Sequence, residues 1–122
     1  IAANLARVLP RSTWVELDRS TWSPAPVFRV LAELGQLDLV ETEGTWNLGI
    51  GFLAIVSADK ADAAASALID AGIPTWQVGV VRDGALPDGH FEHGAKGVDG
   101  GSVRLVGAYA GGPATHLTPG AK

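Results

Sequence analysis

Apolar residues recur along this chain with two periods. Residues 1–9, IAANLARVL, place Ile1, Leu5 and Val8/Leu9 on one helical face, and Pro10 ends that helix. TWVELD (13–18) alternates, with Trp14, Glu16 and Asp18 opposite Val15 and Leu17, the pattern of a short strand with one buried side. After the loop DRSTWSPAP, Pro26 suits the first turn of the helix VFRVLAELG. Its Val27, Val30, Leu31 and Leu34 follow the i, i+3, i+4, i+7 rule, with Gly35 as C-terminal cap. QLDLVETEG reads as a short helix with Asp38 as N-cap and Leu39 and Val40 facing inward.

Leu48 to Val56, LGIGFLAIV, is the most apolar run and predicts a buried strand. Ser57 caps a helix over ADKADAAASALIDAG, where Ala61, Ala64, Ala65, Leu68 and Ile69 form a narrow apolar stripe and Gly72 closes the turn. So many alanines suit a helix lying close on a sheet. WQVGVVR (76–82) predicts another buried strand, and SVRLVGAYA (102–110) a last strand paired with it. Between them, 83–101 is dense in Gly and Asp and reads as a mobile loop. The tail GGPATHLTPGAK (111–122) is expected to be disordered. The order α-β-α-(α)-β-α-β-β implies an α+β fold, helices on one face of a mixed or mostly antiparallel sheet. Residues 1–110 form one domain on this reading. A helical pattern is already under way at Ile1, so the chain reads as a piece of a longer protein.

Composition narrows the function. A net charge of −4 over 122 residues gives no basic surface for nucleic acid or an anionic membrane. No run approaches the ~18 apolar residues needed to span a bilayer. With no cysteine, disulfides and thiolate chemistry are excluded, in keeping with a reducing, cytoplasmic setting.

The candidate chemistry is sparse. In Asn47-Leu48-Gly49-Ile50-Gly51, a strand would put both glycines on one face and leave bare backbone between Ile50 and Phe52. A ligand phosphate can approach such a strip to hydrogen-bonding distance, with Asn47 offering donor and acceptor at its entry. Room for the Ala-rich helix, or a bulge, is the commoner use of such glycines. The spacing is neither a Walker loop nor G-x-G-x-x-G. His90 and His93, near Asp88 and Glu92, could ligate a metal, but a solvated loop is the better reading. Asp18, Arg19 and Ser20 follow a strand end and suit a capping role. Arg7, between apolar helix positions, is an exposed arginine or a phosphate ligand. His116 sits in the tail, and the four tryptophans read as core or boundary residues. No residue is assigned a catalytic or metal-ligating role.

NLARVLP (4–10), ELDRSTW (16–22), PVFRVLAELG (26–35) and TWNLGIGFLAIV (45–56), in this order, resemble phosphoribosylformylglycinamidine cyclo-ligase, also called aminoimidazole ribonucleotide synthetase. The resemblance continues through the Ala-rich helix and WQVGVVR, covering about 1–82 and then 102–107. It implies the C-terminal domain of that family's fold. It also implies a reaction in which ATP and Mg²⁺ activate the formyl amide oxygen of formylglycinamidine ribonucleotide, and an amidine nitrogen closes the imidazole ring. Asn47, Gly49 and Gly51 match the family's T-[FW]-N-x-G-x-G element, which lines the cleft between its two domains. Arg7 matches its R-V-L-P stretch. The ATP- and metal-binding half, and a His-x-Thr-Gly-Gly-Gly loop, would lie upstream of Ile1. The resemblance therefore implies that this piece alone is inactive, that its partner is its own N-terminal domain, and that the whole enzyme is a homodimer. The 83–101 segment is longer than the family's turn. The same scaffold serves other ATP-using enzymes of the superfamily, and a non-catalytic ligand-binding or interaction domain is the alternative from another class.

Overall fold

The computed structural model describes residues 1–94 and 99–110. The tail and His116 lie outside the described residues, as does part of the Gly-rich segment. The elements are α1 (Ala2–Ala6), β1 (Thr13–Asp18), α2 (Pro26–Gly35), α3 (Ala61–Asp70), β2 (Val81–Asp83), β3 (Glu92–His93) and β4 (Ser102–Val106), with single 3₁₀ turns at Arg19–Thr21 and Ala58–Lys60. Four strands form one mixed sheet in the order β2-β1-β4-β3. β1 runs antiparallel to β2 and parallel to β4, and β3 runs antiparallel to β4.

The alternation of β1 decides the centre of the fold. Val15 and Leu17 turn to one face, where α1 delivers Leu5 and Ala6, the turn after it delivers Leu9, and β4 delivers Val103. On the other face Trp14 is closed over by Phe91, an edge-on pair at 6.1 Å and 83°. Register between β1 and β4 sets Glu16 opposite Arg104, whose Nε donates to Glu16 Oε1 at 2.8 Å. This cross-strand ion pair favours one register over a one-residue slip, which would turn Val15 and Leu17 out of the core.

The strand expected over 102–110 exists but is shorter, and its partner differs from expectation. It pairs with β1 and β3, not with 76–82. Of the expected strand at 76–82 only the last two residues enter a ladder, in β2. Residues 78 and 79 still lie against β1. Asp18 N donates to Val78 O at 2.9 Å, and a Cβ on Gly79 would run into the carbonyl of Glu16. The glycine in WQVGVVR is therefore a close-approach residue. Within the Gly-rich segment, the described residues include the two-residue β3, anchored by buried Phe91.

Three further expectations are corrected. Leu48–Val56 is not a strand, because Leu48 (φ 52°) and Gly49 (φ 98°) turn the chain at its head. Residues 39–45 form consecutive turns, not a helix, although Asp38 Oδ1 does accept from Val40 N at 2.7 Å. α2 has the expected start at Pro26, but Gln36, not Gly35, takes the left-handed cap at φ 52°. Its inward face is also different. Ala32 is buried and Phe28 packs on Trp46 at 5.8 Å, whereas Val27, Val30, Leu31 and Leu34 are exposed. Phe28 and Ala32 are themselves an i, i+4 pair, so the large aromatic contact sets the rotation of the helix. In α3 the stripe is present but shallow: Ala61, Ala64, Ala65 and Leu68 are half-buried and Ile69 is exposed. Ser57 makes no side-chain cap bond.

Candidate functional site

The Asn47–Gly51 element is an exposed turn anchored from below. Leu48 is 1% exposed and packs in a second core cluster with Trp22 and Tyr109, flanked by Trp46 and Ile50. Its backbone sits at φ 52°, a left-handed conformation that costs a non-glycine residue ~1–2 kcal/mol. Burial of a whole leucine side chain contributes ~1.5–3 kcal/mol and offsets that cost. The turn is closed by Ile50 N donating to Asn47 O at 3.0 Å, and by Gly49 N donating to the Asn47 side-chain oxygen at 3.2 Å. Asn47 thus acts first on its own backbone.

Both glycines are exposed. A Cβ on Gly51 would meet nothing within 4 Å. One on Gly49 would first meet Ala25 N at 3.5 Å, in the approach to α2, so neither glycine makes room for the Ala-rich helix. Strand alternation does not produce the bare strip. A left-handed turn does, with glycine required at Gly49 by its φ of 98° and not required sterically at Gly51.

Below the turn lies a polar network invisible in the sequence. Arg19 meets Glu43 through two bonds, Nε to Oε1 at 2.6 Å and Nη2 to Oε2 at 2.8 Å. Arg19 Nη1 also donates to Gly107 O at 3.3 Å, and Tyr109 Oη donates to Glu43 Oε1 at 2.5 Å. The Arg19 and Glu43 side chains are 12% and 16% exposed. Paired with Glu43, the guanidinium is held above its ordinary pKa. The Tyr109 hydroxyl is pushed above its ordinary range by burial first and by the Glu43 carboxylate second. The network ties the end of β1 to the 39–45 turns and to the stretch after β4, fixing the ground from which Asn47 projects. Edge-on stacking of Trp22 with Tyr109 at 5.2 Å closes it. Asp18 caps the following 3₁₀ turn by accepting from Ser20 N at 2.8 Å, and hydrogen bonding to the Ser20 side chain first, and to its N–H second, lowers the Asp18 pKa.

The other sequence candidates lie elsewhere. Arg7 is tied back along its own helix, to Ala3 O at 3.2 Å and to Asn4 Oδ1, and shares no described hydrogen bond with the glycine turn. His90 faces Glu92 at 3.8 Å, while His93 Nδ1 pairs with Ser102 Oγ at 2.8 Å, so the two imidazoles serve different partners. Among the described residues no three His, Asp or Glu side chains come together to hold a metal. Two cavities open on the sheet. One of about 440 Å³ is lined by Ser12, Thr13, Trp14, Gly84, Leu86 and Ser102. One of about 280 Å³ lies beside Glu16, Asp18 and Arg82. Neither reaches the glycine turn. No helix among the described residues is long and apolar enough to cross a membrane.

Comparison with known proteins gives the element its context. No protein-family model matches the chain, and no solved structure matches it significantly. A Streptomyces fradiae protein, provisionally assigned as a phosphoribosylformylglycinamidine cyclo-ligase, is 38% identical over 110 residues, 90% of this chain and 56% of its own. The phosphoribosylformylglycinamidine cyclo-ligases of Symbiobacterium thermophilum and Burkholderia multivorans are 41% and 42% identical over 78 and 82 residues. Those matches take in 64% and 67% of this chain, but 22% and 23% of the relatives. The chain spans about half the length of the first relative and about a quarter of the others. By sequence it is a homologue of the phosphoribosylformylglycinamidine cyclo-ligases, related to part of their length.

Proposed function

We propose that residues 1–110 act as the C-terminal domain of an ATP-dependent phosphoribosylformylglycinamidine cyclo-ligase. The whole protein closes the imidazole ring of formylglycinamidine ribonucleotide and yields aminoimidazole ribonucleotide, ADP and phosphate. The observation that supports this most is the open glycine turn within a chain related to enzymes of that name. A reaction that handles several phosphates needs backbone donors that can be approached without steric interference, and it needs charge stabilised where it develops.

In this reading Asn47, Gly49 and Gly51 face phosphate or ribonucleotide across a cleft. The rest of the relatives' length supplies the opposite wall. In the same reading ATP and Mg²⁺ are held mainly there. Arg7, on a separate part of the surface, contributes to the same ligand only if the partner domain brings the two together. The active protein is a cytoplasmic homodimer, and this chain alone has no cyclase activity.

The test is reconstitution. The isolated chain should release no ADP when given ATP, Mg²⁺ and formylglycinamidine ribonucleotide. The protein in which it is joined to a cyclo-ligase N-terminal half should release ADP and aminoimidazole ribonucleotide together. Turnover by the isolated chain would show that the active site has been misplaced.

A further inference from the structure

The cavity of about 280 Å³ is lined by charges that the glycine turn does not use. Glu16 and Asp18 alternate with the buried Val15 and Leu17, so both carboxylates rise from the face of β1 opposite α1. Arg82 faces Trp14 across the β1–β2 register, and Val106 faces Asp18 across the β1–β4 register, which sets them on that same face. Glu16, Asp18 and Arg82 all line the cavity, with Val78, Val80 and Val106 as its apolar part.

These charges are of both signs and stand apart. The Arg82 guanidinium lies over the Trp14 ring at 5.9 Å, near the start of β1. Asp18 ends that strand four residues after Trp14, about 13 Å further on at ~3.3 Å per residue, and Glu16 stands midway. Arg82 is exposed and Asp18 half-buried, so both can be reached from solvent. Among the described residues neither of them forms an ion pair. Glu16 is already balanced, because its Oε1 accepts both bonds from Arg104. One cation and one carboxylate are therefore left open at the two ends of the cavity.

We infer that this cavity binds an ω-amino acid, its carboxylate on the Arg82 guanidinium, its ammonium against Asp18 and Glu16, and its methylenes along Val78, Val80 and Val106. The lining selects for a charge of each sign. A dicarboxylate brings like charge to Asp18 and Glu16, and a diamine brings it to Arg82, whereas a zwitterion meets an opposite charge at both ends. The spacing selects for length. In an α-amino acid one carbon bears both ammonium and carboxylate, too close together to serve the two ends. Methylenes placed between the charges extend the span and give the three valines something to cover.

The test is a titration of 4-aminobutyrate into the ¹⁵N-labelled 122-residue chain at pH 7 and low salt, where surface charges are least screened. Backbone amides are followed in the assigned spectrum. Gly79 lines this cavity and reports on it, while Gly84, which lines the other, is the internal control. The Gly79 resonance should move and saturate while that of Gly84 stays still. Glycine, butylamine and butyrate should each bind at least about fivefold more weakly, since each forfeits a charged contact. Arg82→Gln should weaken 4-aminobutyrate roughly tenfold without weakening butylamine, the low end for one charge-assisted hydrogen bond. Asp18→Asn should weaken it to the same degree without weakening butyrate. Asparagine keeps the acceptor for Ser20 N, so that variant should stay folded, as an unmoved Gly84 resonance shows. If either variant does not fold, the ranking of the four ligands on the parent chain decides alone. Unsaturable movement, equal movement of Gly84, binding of glycine, butylamine or butyrate as tight as that of 4-aminobutyrate, or unchanged affinity in either folded variant would overturn the proposal.

Discussion

The two halves of this molecule treat apolar residues in opposite ways. Around β1, β4 and α1 they go inside: Leu5, Leu9, Val15, Leu17 and Val103 are all buried. From α2 through the segment after α3 they stay largely outside. Leu34 is 79% exposed and Phe52 87%, with Val27, Ile55, Ile69 and Ile73 also open. Periodicity records that a residue is suited to burial, but not what covers it. In the first half the chain supplies its own cover. In the second, the described residues do not, and this is the half that carries the glycine turn. Exposed apolar side chains that lie together in one patch mark an interaction surface more often than a free one. In the proposed function that surface meets the part of the cyclo-ligases that this chain does not span.

Truncation separates the halves most sharply. Leu17→Ala, at a position 2% exposed, should lower unfolding stability by ~2–5 kcal/mol, as read by urea titration. Phe52→Ala, for all its size, should change stability by less than ~0.5 kcal/mol, since an exposed ring removes little area from water. A large loss at Phe52 would mean that the second half packs as tightly as the first.

The polar network joins the two halves, so cutting it should have the next largest effect. Arg19→Ala leaves the Glu43 carboxylate largely buried with Tyr109 as its one remaining partner among the described residues, and should cost on the order of 3 kcal/mol. The same network sets an alkaline limit. The raised pKa of Tyr109 means that its contribution is complete below the ordinary tyrosine value of 10.0 and is lost as pH rises from there towards the folded value. Stability should fall above about pH 10, and the fall should be shallower in Tyr109→Phe, as followed by circular dichroism across a pH series. A smaller effect, of opposite sign, is expected at the end of α2. Gln36→Gly relieves a left-handed cap at φ 52° and should raise stability by ~0.5–1 kcal/mol.

The same contrast shows what was legible in the sequence. β1 and the start of α2 follow from local signals, alternation in TWVELD and Pro26 at a first helical turn. Pairing is not local, so 76–82 and 102–110 look like a hairpin although β4 joins β1. LGIGFLAIV has strand composition, yet Leu48 trades a strand dihedral for a place between Trp22 and Tyr109, a partner 61 positions later in the chain. Asn47, Gly49 and Gly51 were conspicuous as a motif, though not as a turn. The Arg19–Glu43–Tyr109 network left no signal, because its members stand 24 and 66 residues apart. The charged cavity of Glu16, Asp18 and Arg82 needed β1 and β2 in register before it existed at all.

Gly51 tests the open-turn account most directly, because a side chain there enters empty space and leaves the fold untouched. In the protein joined to its cyclo-ligase N-terminal half, Gly51→Val should keep the parent melting temperature. It should lose at least about tenfold in kcat/KM, a barrier increase of ~1.4 kcal/mol. Parent-like kcat/KM in the stably folded variant would mean that no substrate phosphate approaches this backbone.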